Sequence, residues 1–111
     1  AIELAPSGKA SRGGTVWWSV DIANYGGKTP GLRTKRGVIA GIPDIYVQHQ
    51  GRAHFIELKA PEGGVVSVEQ RSVGAAIQVC GGRWEVARSA EQVLAALDAW
   101  KIPRRNCVQV Q

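Results

Sequence analysis

A chain of 111 residues, 44% of them hydrophobic, supplies one packed core and no more, which predicts a single domain over residues 1–111. Fourteen Lys and Arg against nine Asp and Glu give a formal charge of +5, a balance that suits a polyanionic partner and equally suits simple solubility. No apolar run approaches the roughly 18 residues of a membrane span, and no signal-peptide pattern is present, which excludes a membrane-spanning helix as the working part.

The chain begins at Ala1 and contains no Met, so its natural start is expected upstream. Residues 1–14, broken by Pro6, Gly8, Gly13 and Gly14, read as the frayed end of something larger. Thr15–Ile22 then alternates, with Val16, Trp18, Val20 and Ile22 on one face and Trp17, Ser19 and Asp21 on the other, which predicts a strand. From Asn24 to Gly41 the chain is glycine-rich and basic without any apolar period, and its length favours a functional loop over a plain connection. Two strands follow, Pro43–His49 and Ala53–Ala60, around the turn-like pair Gln50-Gly51. Ser67 opens a helix with Val73, Ala76, Ile77 and Cys80 at helical spacing, and Gly81-Gly82 stops it. Arg83–Arg88 is a short strand; Ser89 caps a last helix whose stripe is Val93, Leu94, Leu97 and Trp100, ending before Pro103. This order predicts an α/β domain, a mixed β-sheet flanked by helices. Cys80 and Cys107 are too few for a disulfide framework and lack metal-ligand spacing, so a reduced, cytoplasmic protein is expected.

The hairpin carries the chemistry. With Gln50 and Gly51 as a two-residue turn, Asp44 falls directly opposite Glu57 on one face, and Lys59, two residues on, shares it. Ile56 and Leu58 are predicted to point the other way, into the core. Two carboxylates near 4 Å repel by about 4 kcal/mol at an effective dielectric near 20. Protonating one, pairing with Lys59 or binding a cation each relieves that repulsion. Hard oxygen ligands with open positions suit Mg²⁺ or Mn²⁺, and Lys59 is placed to hold or deprotonate water and to offset charge on a phosphoryl transition state. A plain cross-strand ion pair accounts for the three residues taken alone.

The wider string is Gly41-Ile42-Pro43-Asp44-Ile45-Tyr46-Val47, then Phe55-Ile56-Glu57-Leu58-Lys59-Ala60, then Ser67-Val68-Glu69-Gln70. With Asn24-Tyr25-Gly26-Gly27-Lys28 before it, and Ala87-Arg88-Ser89 and Trp100-Lys101-Ile102 after it, it resembles the virus-type replication-repair nuclease domain, a branch of the PD-(D/E)xK nuclease superfamily. The resemblance implies a restriction-endonuclease-like fold. It implies Asp44, Glu57 and the Leu58 carbonyl as metal ligands, Lys59 as catalytic lysine and Gln70 as a helper for water or phosphate. Ser67-x-x-Gln70 is also a capping box, and Ser89-x-x-Gln92 repeats that pattern without chemistry. The family's usual upstream helix glutamate has no clear counterpart, since Glu3 is the only acidic residue before Trp17 and lies close to the first strand.

Beside such a site, Lys28, Arg33, Lys35 and Arg36 of the basic loop are expected to grip DNA phosphates. His49 and His54 flank the turn, away from Asp44, and read as surface or edge residues. The four Trp read mainly as core, with Trp17 the one placed for an interface or for stacking on a base. Small stand-alone members of the family imply a homodimer that cuts four-way junctions in DNA. A nuclease for flaps, nicks or ends, and a non-catalytic DNA-binding module, are the alternatives.

Overall fold

The computed structural model describes residues 6–11, 13–20 and 39–103. Strands β1 (Thr15–Ser19), β2 (Ile45–His49) and β3 (Arg52–Leu58), helix α1 (Val68–Val79), strand β4 (Arg83–Ala87) and helix α2 (Ala90–Ala99) follow one another along the chain. They form one four-stranded mixed sheet in the order β1-β2-β3-β4, antiparallel up to β3 and parallel between β3 and β4. The parallel pair needs a crossover, and α1 is that crossover. No helix among the described residues is long and apolar enough to cross a membrane.

The β2–β3 turn has the predicted form. Gln50 and Gly51 both have positive φ, 48° and 80°, as a type I′ turn requires. The register it sets pairs Ile45 with Ile56, Tyr46 with Phe55 and Val47 with His54. Asp44 lies one residue before β2 and the same register carries it to Glu57. The ladder to β1 runs on past the strand ends, where the Val20 N–H donates to the Asp44 carbonyl at 2.7 Å.

One sheet face packs against α2. Val47, Ile56, Ala87, Leu97 and Ile102 are buried there, with Trp17, Ile45, Val93 and Trp100 packed around them. Ser89 caps α2 through the Gln92 N–H. At the other end Lys101 takes a left-handed φ of 60°, and the Ile102 N–H reaches the Leu97 carbonyl at 2.9 Å, a Schellman closure that turns Ile102 into the core.

The other face packs against α1, whose inward positions are Gln70, Val73, Gly74 and Ile77, the i, i+3, i+4, i+7 pattern. Ala76 and Cys80, predicted on that stripe, are exposed instead, Cys80 as a free thiol. Gly74 is why. A Cβ there would stand 2.4 Å from the Trp84 indole, so the helix rests its backbone on the ring, and an apolar-side-chain pattern cannot register a glycine contact.

Four further expectations change. Residues 6–11 are not frayed, because the Gly8 N–H donates to the Trp17 carbonyl and the Ser11 N–H to the Thr15 carbonyl, both at 2.8 Å. Leu58 does not enter the core; it is 44% exposed and lines an open cleft of about 550 Å³ beside α2 with Ile45, Val93 and Leu94. His49 and His54 are buried: Thr15 Oγ1 lies 2.7 Å from His49 Nδ1, and the His54 ring packs 5.0 Å from Trp100. Trp17 packs on the core, and Trp18 is the tryptophan with an open side, 41% exposed.

Candidate active site

Three elements bring Asp44, Glu57, Lys59 and Gln70 together at one end of the α1 face. Pro43, fully buried, anchors the segment leading into β2. Gly41 ahead of it has φ +92°, and a Cβ there would stand 2.5 Å from the Glu69 carbonyl oxygen. The backbone before Asp44 therefore lies directly on the first turn of α1, which is how a hairpin carboxylate and a helix glutamine come to share a site.

Asp44 Oδ2 accepts the Leu58 N–H at 2.8 Å. It takes the place of a backbone partner just beyond the end of β2. In an extended strand the N–H and C=O of one residue face the same edge, so the Leu58 carbonyl faces the Asp44 side as well. Lys59 follows, with its N–H held by the Ala87 carbonyl at 2.9 Å. Arg88 completes that clamp, Nη1 donating to the Ala60 carbonyl at 3.1 Å and the Gly64 carbonyl at 2.7 Å. Sequence pattern gives Arg88 no such role, because the role depends on the parallel register of β3 and β4.

Glu57 is only 2% exposed, which is unusual for a carboxylate. Its Oε2 accepts from Gln70 Nε2 at 2.9 Å and lies 3.7 Å from Lys59 Nζ. Its Oε1 is buried with no partner among the described residues. Burial raises the Glu57 pKa from 4.5 to about 7; the charge of Asp44 and its readiness to accept the proton push the same way, and Lys59 opposes them. The site thus holds either a proton between two carboxyls or an unpaid negative charge.

Gln70 makes the cap that its sequence context allowed and also reaches Glu57. Its Oε1 accepts the Ser67 N–H at 2.8 Å while Ser67 Oγ accepts the Gln70 N–H at 3.0 Å, a complete capping box. The cap fixes the amide so that its N–H₂ faces Glu57. Gln92 does otherwise: its Oε1 takes the Arg88 N–H at 2.7 Å, and its role is purely local.

Among the described residues, no group of three or more His, Cys, Asp or Glu side chains is placed to hold a metal. The protein's carboxylate donors here are two, the number that Mg²⁺ usually takes alongside water and phosphate oxygens. The buried, unpartnered Oε1 of Glu57, on a carboxyl opposite Asp44, fits such an ion. His49 and His54 sit on the opposite sheet face and take no part. Glu3, Lys28, Arg33, Lys35 and Arg36 lie outside the described residues. Compared with protein-family models, curated proteins and solved structures, the chain matches none.

Proposed function

We propose that this chain is a divalent-metal-dependent DNA endonuclease that hydrolyses phosphodiesters at Asp44, Glu57, Lys59 and Gln70. The observation that carries the reading is Glu57: a buried carboxylate, opposite Asp44 and beside Lys59, with one oxygen left without a donor. Burying such a group costs several kcal/mol unless something positive completes it, and the partners in place, Lys59 and Gln70, both lie on Oε2. Asp44, Glu57 and the Leu58 carbonyl would hold Mg²⁺ or Mn²⁺, which when bound polarises a phosphoryl oxygen and makes water acidic near neutral pH.

The chain's own groups divide the remaining work. Lys59 offers a cation to the charge that grows on the phosphoryl oxygens, at a place largely shielded from water. Gln70 holds Glu57 Oε2 and so leaves Oε1 as the oxygen without a donor. Asp44, by gripping the Leu58 N–H, keeps the hairpin end from opening. The net charge of +5 supports DNA as the substrate, and the basic loop with Lys28, Arg33, Lys35 and Arg36 is its proposed grip. The finer reading is a restriction-endonuclease-like domain that acts as a twofold homodimer on four-way junctions, since one site per chain must cut two symmetry-related strands.

The test is cleavage of junction, flap and linear DNA in Mg²⁺, Mn²⁺ and EDTA, with light scattering for assembly. Wild type should cut only with metal, and Asp44→Asn, Glu57→Gln and Lys59→Ala should each lose at least about a hundredfold in rate while staying folded. Glu57→Gln cutting at the wild-type rate would overturn the site. Faster cutting of a flap than of a junction would move the substrate to flap processing. DNA binding without cleavage in either metal would leave a non-catalytic binding module.

A further inference from the structure

On the α1 face, the row next to Asp44 and Glu57 is entirely aromatic. Register pairs Trp18 with Tyr46, Tyr46 with Phe55 and Phe55 with Trp84, one ring from each strand. The Trp18 and Tyr46 centroids are 4.6 Å apart and those of Tyr46 and Phe55 5.1 Å, with tilts of 45° and 50°. The Tyr46 hydroxyl donates to Gln48 Oε1. At the β4 end the row is closed by Gly74 of α1 resting on Trp84; at the β1 end no described residue closes it, Trp18 being 41% exposed.

We propose that Trp18, braced by Tyr46, is the stacking platform for an unpaired nucleobase adjoining the phosphodiester held at Asp44 and Glu57. This rests on the nuclease reading and extends it to substrate structure. Two residues along a strand span about 6.7 Å, so the aromatic row lies one side-chain spacing from the carboxylates, on the same face. That separation suits a phosphate and the base its own sugar carries. A ring buttressed by its neighbours gives up little freedom when a base settles on it. The open part of Trp18 amounts to roughly 100 Å². That is far below the roughly 800 Å² each partner gives to a stable protein interface, yet it is the scale of one base. Base–aromatic stacking also tolerates any sequence, which fits a site with no base-reading side chains in its row.

The test compares the affinity of the whole chain, in EDTA so that nothing is cut, for a single-stranded oligothymidylate and for an abasic strand of equal length and charge. Wild type should prefer the thymidylate by roughly 5- to 150-fold, the range that stacking supplies. Trp18→Ala should bind both strands alike, and Trp18→Phe should keep most of the preference. Equal wild-type affinity for the two strands, or a preference that survives in Trp18→Ala, overturns the platform. Trp18→Phe keeps an aromatic ring in the row, so a preference fully lost in it also counts against stacking. Cleavage by wild type in Mg²⁺ is read separately, so loss of the nuclease reading and loss of the platform appear as different results.

Discussion

Replacing Glu57 by glutamine tests the charge logic of the site without substrate or metal. In the folded chain the Glu57 carboxyl keeps its proton to about pH 7, held there by burial and by Asp44, whereas an unfolded chain releases it near 4.5. Between those values the folded state binds more protons, so wild-type stability falls as pH rises through that window and stays low above it. A difference of about 2.5 in pKa corresponds to about 3 kcal/mol, with the help from Lys59 already included. The Glu57→Gln amide mimics the protonated acid: its oxygen accepts from Gln70 as Oε2 does, and its N–H₂ faces Asp44 as the proton would. Urea unfolding in EDTA at pH 4, 6 and 8 reads the outcome. The variant should match wild type at pH 4, pull ahead through pH 6, and at pH 8 stand about 3 kcal/mol higher, on the order of 10 °C in Tm. Adding Mg²⁺ should then raise wild type more than the variant, because only the native site with both carboxylates gains from the ion. A gap that does not change with pH, or a variant less stable than wild type at pH 8, refutes the account of Glu57 as an uncompensated buried charge.

Gly74→Ala should destabilise by about 1–3 kcal/mol in chemical unfolding, because its Cβ would fall 2.4 Å from the Trp84 ring and α1 must lift away. Cleavage should fall with it, since Gln70 rides on the same helix. His54 is held below its ordinary pKa of 6.5, chiefly by burial, so its contribution is lost as pH falls below about 6.5. The stability of His54→Phe relative to wild type should therefore rise on acidification, which unfolding at pH 7 and pH 5 measures directly. Neutralising Arg33, Lys35 and Arg36 together should lower the slope of log K against log salt by roughly 2.7 for duplex DNA, with all DNA shapes weakened alike; an unchanged slope returns the loop to simple solvation.

The hairpin was legible because a two-residue turn leaves no freedom. Once Gln50 and Gly51 make the turn, the pairing of every residue across it is arithmetic, and the face shared by Asp44, Glu57 and Lys59 follows. The caps at Ser67 and Ser89 and the stop at Gly81 were legible for the same local reason. Side-chain burial was not. Alternation said that Glu57 and Leu58 face opposite ways, but not that the carboxylate would be the buried one and the leucine the open one. That inversion is set by α1 closing over one face, while on the other Leu58 lines an open cleft beside α2. Likewise Trp17 and Trp18 are equivalent in pattern, and only the α2 layer, with Trp100 and Ile102, decides which is covered.

Gln70 shows why a cheap local motif and a contact within the candidate site should not be set against each other as alternatives. A capping glutamine needs only its oxygen, which goes to the Ser67 N–H; its nitrogen is then directed outward from the helix start by the same rotamer. Where Gly41 lets the hairpin lie against that first turn, the nitrogen meets Glu57 at 2.9 Å. At Ser89 the same sequence pattern borders an open cleft, and Gln92 Oε1 turns to the Arg88 N–H. The informative signal is therefore the pairing of a capping box with a glycine that permits a close approach: the cap aims the amide, and the glycine decides whether anything lies within its reach.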